Sequence, residues 1–180
     1  MKAAMPATPT DSARRRLLSR GAFAAVVAVA ALAAAVLPAG GAVAAGAQEL
    51  PLRFDPGRDA AKDVAAAVAL AAESGRHVLV DVGGEWCSWC HVMDRFFDGN
   101  AELTKLRDRN YVWVKVNWSK ENPNDALLSR WPKVRGYPHL FVLDAGGRLL
   151  HSQDTGELEA GKSYDVAKFT AFLTRYAPSR

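Results

Sequence analysis

Cysteine is nearly absent from this chain. Cys87 and Cys90 are its only two in 180 residues, and at three positions apart they cannot staple distant parts of a fold. A disulfide-braced miniature scaffold is therefore excluded, and the core must come from apolar burial. Histidine is also scarce. Apart from His91 there are His77, His139 and His151, none at ligand spacing to the cysteines. Two thiolates alone fall short of the three or four ligands of a zinc site, so no metal is expected. No internal repeat is visible, which removes solenoids and propellers.

An excess of one charge sign is missing too, once the N-terminus is set apart. "RRRLLSR" (14–20) leads into "GAFAAVVAVAALAAAVL" (21–37), a stretch without a charge, and Pro38, Gly40 and Gly41 end it. A cationic lead, an apolar run and small-x-small sites after it read as an export signal over residues 1–47, with cleavage after Ala44 or Ala47. Arg14 to Arg16 loosely match a twin-arginine signal. The competing reading is a retained membrane anchor, since the run reaches the lower limit for a span. Removing the five basic residues and one acid of this segment from the chain's 23 and 19 leaves 18 of each. Residues 48–180 are then neutral, the isoelectric point of 9.2 belongs to the signal, and no basic patch argues for nucleic acid. They make one ordinary domain.

Within that domain "ELPLRF" (49–54) is expected as a short edge strand. "DAAKDVAAAVALAAESG" (59–75) predicts a helix with Asp59 as N-cap and Gly75 as stop. "HVLVDV" (77–82) and "YVWVKVNW" (111–118) are apolar runs of strand length. Between them Val92, Met93, Phe96 and Phe97 form one helical face, and a further helix covers 101–109. "NDALLSRW" (124–131) predicts a short helix. "HLFVLD" (139–144) and "RLLHSQD" (148–154) are strands joined by Ala145-Gly146-Gly147, a hairpin signal. The stretch 156–165 is expected to be a loop, and a last helix starts at Ser163 or Asp165. Strand–helix alternation closing in a hairpin gives an α/β sandwich, a mixed central sheet with helices on both faces.

The chemistry lies in "GEWCSWCHVM" (84–93). C-x-x-C-H can attach a c-type haem, with His91 as the proximal ligand. Met93 is too near to close the other face, no other Met survives removal of 1–47, and a buried strand feeding the motif predicts a sheet rather than a haem pocket. As a redox dithiol, each part has a reason. Gly83 and Gly84 end the strand and present Cys87 at a helix start, where free N–H groups and the helix dipole stabilise a thiolate. Cys90, one turn along and more buried, supplies the resolving thiol that exchange needs. Asp81 alternates within an apolar strand, so burial and a raised pKa are expected. Lys115 could equally reach solvent, Trp89 should be partly exposed, and His91 could favour the thiolate while Glu85 opposes it.

"VLVDVGGEWCSWCHVM" resembles the active-site segment of thioredoxin, and more closely exported thioredoxin-like proteins carrying W-C-x-W-C-H-x-M. The resemblance covers most of 59–176. Asp81 matches the buried acid six residues before the first cysteine, Trp86 the preceding tryptophan, Lys115 in "VKVNW" the lysine near that acid, and Pro138 in "RGYPHLFVLDAGG" the cis-proline. It implies a thioredoxin-like fold and thiol–disulfide exchange outside the cytoplasm, through a Cys87–Cys90 disulfide with Asp81 and Lys115 assisting. Trp86, Trp89, Tyr137 and Pro138 would meet the substrate, without cofactor or metal. Partners would be client proteins with thiols or disulfides and a membrane electron-transfer donor, and the chain would act as a monomer. Ser88-Trp89 stands where thioredoxins have Gly-Pro, Tyr137 and His139 flank the proline unusually, and the segment before Pro138 is one residue longer. Direction stays open, with reduction favoured over oxidation. A haem-binding or haem-delivery protein, or a redox-inactive client-binding module, are the alternatives.

Overall fold

The computed structural model describes residues 49–179, so the expected export segment 1–47 lies outside the described residues. The first helix, α1 (Ala60–Ser74), starts where Asp59 accepts from the N–H groups of Ala61 and Lys62 and stops at Gly75, whose φ of 65° suits a residue without Cβ. Its inward face is Ala60, Asp63, Val64, Ala67 and Ala71, small enough to lie close on the sheet. The buried Asp63 is matched by a two-pronged Arg58, as a buried carboxylate requires.

Strand β1 (His77–Gly83) is buried along nearly its whole length. Helices α2 (Ser88–Asp98) and α3 (Ala101–Asn110) follow, then β2 (Tyr111–Asn117), the one-turn α4 (Asp125–Leu128), β3 (His139–Leu143), β4 (Leu149–Asp154), the two-residue strands β5 (Glu159–Ala160) and β6 (Ser163–Tyr164), and α5 (Val166–Arg175). The main sheet has the order β2-β1-β3-β4. β1 pairs parallel with β2, placing Asp81 beside Lys115, and antiparallel with β3. Alternation divides the core. Val78, Val80, Val82, Val114 and Phe141 pack with α1 and α4, whereas Leu79, Met93, Phe97, Leu140 and Phe169 pack under α2, α3 and α5. The fold is thioredoxin-like, with helices on both faces of a mixed sheet. Among the described residues no helix is long and apolar enough to cross a membrane.

Two expectations are corrected. Residues 49–54 form no strand: the segment turns its one large ring, Phe54, into the protein while Leu52 and Arg53 stay out, which abandons the ladder. Residues 156–165 are more than a loop. A single 3-10 turn (Thr155–Leu158) and the β5–β6 pair build a small hairpin, held because Leu158 and Tyr164 bury against the α2 side of the core. Asp165, not Ser163, caps α5.

Candidate active site

β1 ends at Gly83 because the chain must pass Cys90 there. A Cβ on Gly83 would run into Cys90 Sγ and would lie 3.0 Å from Cζ of Phe54. The turn beyond is pinned from both sides. Trp118 N–H donates to the Gly83 carbonyl at 2.6 Å, and the Trp86 indole N–H donates to the Trp118 carbonyl at 2.8 Å. Cys87 is the N-cap of α2, its sulfur accepting from the Cys90 N–H at 3.1 Å. The two cysteines are joined as a disulfide.

Cys87 keeps 4% of its surface and Cys90 1%. Cys90 is thus covered as expected, but the open attacking sulfur that the sequence suggested is screened in this oxidised form. Phe54, Trp89 and Tyr137 pack around the pair. Trp89 is half-buried and meets Tyr164 edge-on. Trp86 stands out at 55% exposure, and it contacts Trp118 and Tyr137, whose own rings stack at 5.0 Å. The Tyr137–Pro138 bond is cis, and Thr155 of the hairpin donates to the Pro138 carbonyl at 2.5 Å. All of the residues named from sequence, Asp81, Trp86, Cys87, Trp89, Cys90, Lys115, Tyr137 and Pro138, therefore gather at one end of the sheet and the start of α2.

On β1, two residues before Gly83, Asp81 is 1% exposed. Lys115 Nζ donates to its Oδ2 at 3.1 Å and more closely to Asp94 Oδ1 at 2.7 Å, while Asp81 Oδ1 has no hydrogen-bond partner among the described residues. Burial drives the Asp81 pKa up, and Lys115 offsets only part of that. Burial pulls on Lys115 in the opposite sense, but two carboxylates outweigh it and hold the ammonium protonated, its pKa above the ordinary value. Lys115 thus has a second, closer anion in Asp94 and is not committed to Asp81 alone.

Sequence reasoning missed Phe54, Asp94, Trp118 and Thr155. Asp94 had a signal, since it falls seven positions after Cys87 and so two turns along the same face of α2. Phe54, Trp118 and Thr155 had none, being set by distant parts of the chain. His91 donates Nε2–H to the Glu85 carbonyl at 2.8 Å and stands at the surface. With that nitrogen occupied and both sulfurs enclosed, the C-x-x-C-H residues do not fit a haem. The other histidines are spent elsewhere, His77 on the Tyr176 carbonyl, His139 on Ser152 and His151 on Gln153.

A family model described as thioredoxin-like matches residues 59–145. The chain is 26% identical over 105 residues to the thiol:disulfide interchange protein DsbD of Klebsiella pneumoniae, covering 58% of this chain and 17% of that protein. It is 30% identical over 95 residues to the thiol:disulfide interchange protein DsbE of Pseudomonas aeruginosa, covering 52% of this chain and 47% of that one. It thus spans less than a fifth of the first relative and about half of the second. Among solved structures, a disulphide isomerase from Xylella fastidiosa Temecula1 superposes with a TM-score of 0.59 at 24% identity, over 72% of this chain and 98% of that one. Fold, family model and the disulfide at the head of α2 agree, and residues 59–145 form a thioredoxin-like domain.

Proposed function

We propose that the protein is a thiol–disulfide oxidoreductase that works outside the cytoplasm and passes electrons to client disulfides. The carrying observation is the Cys87–Cys90 disulfide at the N-cap of α2, directly following the strand that carries Asp81, a buried carboxyl of raised pKa. In the reduced protein the Cys87 thiolate attacks a client disulfide. One client sulfur leaves as a thiolate and takes a proton, and a mixed disulfide remains. Asp81 accepts the Cys90 proton, the Cys90 thiolate attacks Cys87 Sγ, and the second client thiol departs. Two electrons have passed to the client, and the Cys87–Cys90 bond has re-formed.

Lys115, which donates to Asp81 at 3.1 Å, offsets part of the burial that raises its pKa and acts as a positioning partner. Trp89 and Tyr137, which pack against the sulfur cluster, together with Trp86 and Pro138, which adjoin Tyr137, offer the client its contact surface. The names of the relatives, thiol:disulfide interchange proteins, support the reaction class, and with the export reading of 1–47 they support an extracytoplasmic place. A reductant there needs an electron supply, which a membrane electron-transfer donor would provide. Neither cofactor nor metal enters these steps.

The test is the reduction potential of Cys87–Cys90 together with turnover of a protein disulfide. A potential near thioredoxin's, about −270 mV, fits the reductant, and one near about −120 mV would make the protein an oxidant. A protein that exchanges with no disulfide would be a client-binding module.

A further inference from the structure

Phe54 is out of character with its surroundings. Leu52, Arg53, Asp55, Pro56 and Gly57 are exposed, yet Phe54 between them keeps only 3% of its surface. The segment has no strand or helix to hold it there. It is strapped down by single bonds: the Phe54 N–H to Glu85 Oε1 at 3.1 Å, Asn122 Nδ2 to the carbonyls of Pro56 and Arg58, and Arg58 to the Glu49 carbonyl. The ring it delivers reaches the same point beside Gly83 as Cys90 Sγ, and it forms one buried cluster with both sulfurs. Its face carries the Lys115 ammonium, 4.2 Å from the ring centroid, a cation–π contact. The ring therefore lies where the strap, the ion pair and the resolving sulfur meet.

Which sulfur of a disulfide is attacked, and which thiol attacks, depends on access as well as on thiolate character. Cys87 and Cys90 differ little in total exposure, so what backs each sulfur decides. Trp89 and Tyr137, themselves half-exposed, pack against the cluster that both sulfurs share with Phe54. Cys90 is backed by Gly83 and Phe54, both buried.

Resting on the oxidoreductase reading above, we propose that Phe54 is a positioning residue that makes the dithiol one-sided: the strap holds its ring against Cys90 so that external partners exchange only through Cys87. Glu85, next to the active-site turn, ties the strap to that turn through the Phe54 N–H. Phe54 touches no client. It acts by denying Cys90 any sulfur except that of Cys87.

The test uses single-thiol proteins and 4,4′-dithiodipyridine. Each free thiol attacks the reagent, its S–S bond breaks, a cysteine–pyridyl disulfide forms, and one thiopyridone is released and read by absorbance. Cys87→Ser leaves Cys90 as the reacting thiol, and Cys90→Ser leaves Cys87. Adding Phe54→Ala to the first should accelerate Cys90 by about tenfold or more, since buried thiols are inert and exposure governs their reaction. Adding it to the second should change Cys87 by less than about twofold. Phe54→Val, which stays apolar but uncovers part of the sulfur, should accelerate Cys90 by an intermediate factor of about threefold with Cys87 unchanged, and carries the comparison should the alanine variant unfold. Equal acceleration of both thiols would mean that Phe54 only supports the fold, and no acceleration at Cys90 would mean that it shields nothing; either overturns the proposal. Failure of the oxidoreductase reading shows differently, as wild-type protein that turns over no protein disulfide while these single-thiol rates remain measurable.

Discussion

At the scale of single residues the two cysteines are chemically identical and differ only in place. Cys87 caps α2, where free N–H groups and dipole act most strongly and then fade within a turn, and Cys90 lies a turn deeper. Cys90→Ser should therefore accumulate stable mixed disulfides with client proteins, because attack proceeds and resolution cannot. Cys87→Ser should accumulate few. Non-reducing electrophoresis of the two variants checks this, and equal trapping would reverse or abolish the division of labour. In the proposed mechanism Asp81 acts on the second step. Asp81→Asn should slow release of the client from the mixed disulfide by about a hundredfold, the size of a general base, and leave the first attack nearly unchanged in stopped-flow assays. The same substitution has a stability signature. Burial raises the folded-state pKa of Asp81, so its favourable contribution is complete below its unfolded pKa and is lost as pH rises through the folded one. Lys115, held protonated by two carboxylates, does not titrate in that window. The urea midpoint of Asp81→Asn relative to wild type should therefore climb with pH; a flat or falling difference would contradict the assignment.

At the scale of elements the site is a junction of a strand end, a helix start and two irregular segments. β1 can deliver Cys87 to α2 only because Gly83 leaves room for Cys90 Sγ and the Phe54 ring. Gly83→Ala should destabilise the oxidised protein by about 1–3 kcal/mol, as overpacking does, read as a lower urea midpoint. An unchanged midpoint would show that Phe54 or the disulfide can give way without cost. On the far side the 155–165 hairpin reaches the site twice, through Thr155 on the Pro138 carbonyl and through Tyr164 against Trp89. That hairpin and the 49–58 strap are the two parts of the site that no periodicity announced.

For the whole molecule the balance of charge and the scatter of apolar surface matter. Residues 48–180 carry as many acids as bases, and among the described residues the exposed large apolar side chains are Leu52 in the strap, Trp86 in the β1–α2 turn and Val166 in α5. Sedimentation of the protein at micromolar concentration should give a monomer; a concentration-dependent dimer would mean that the Trp86 surface meets a second copy. The N-terminal residue of protein recovered from outside the cytoplasm should be close to Ala45 or Gln48. Full-length protein in the membrane fraction would instead support a retained anchor.

Local pattern determined much of this protein. Apolar runs of strand length marked β1 and β2, one apolar helical face marked α2, Asp59 and Gly75 marked the ends of α1, and three-residue spacing at a strand-to-helix turn marked Cys87 and Cys90, because each of these signals is carried by residues close in the chain. Asp81 was legible for the same reason, as a charge inside an apolar run. The environment of those groups was decided by tertiary structure. That Lys115 is shared between Asp81 and Asp94 follows from the parallel register of β1 and β2 and from the way α2 lies over them. That Phe54 backs Cys90 follows from a segment 36 residues away in sequence that forms no regular element. Such contacts depend on how helices and strands pack in three dimensions, and no spacing along the chain encodes which ring fills the space beside a glycine.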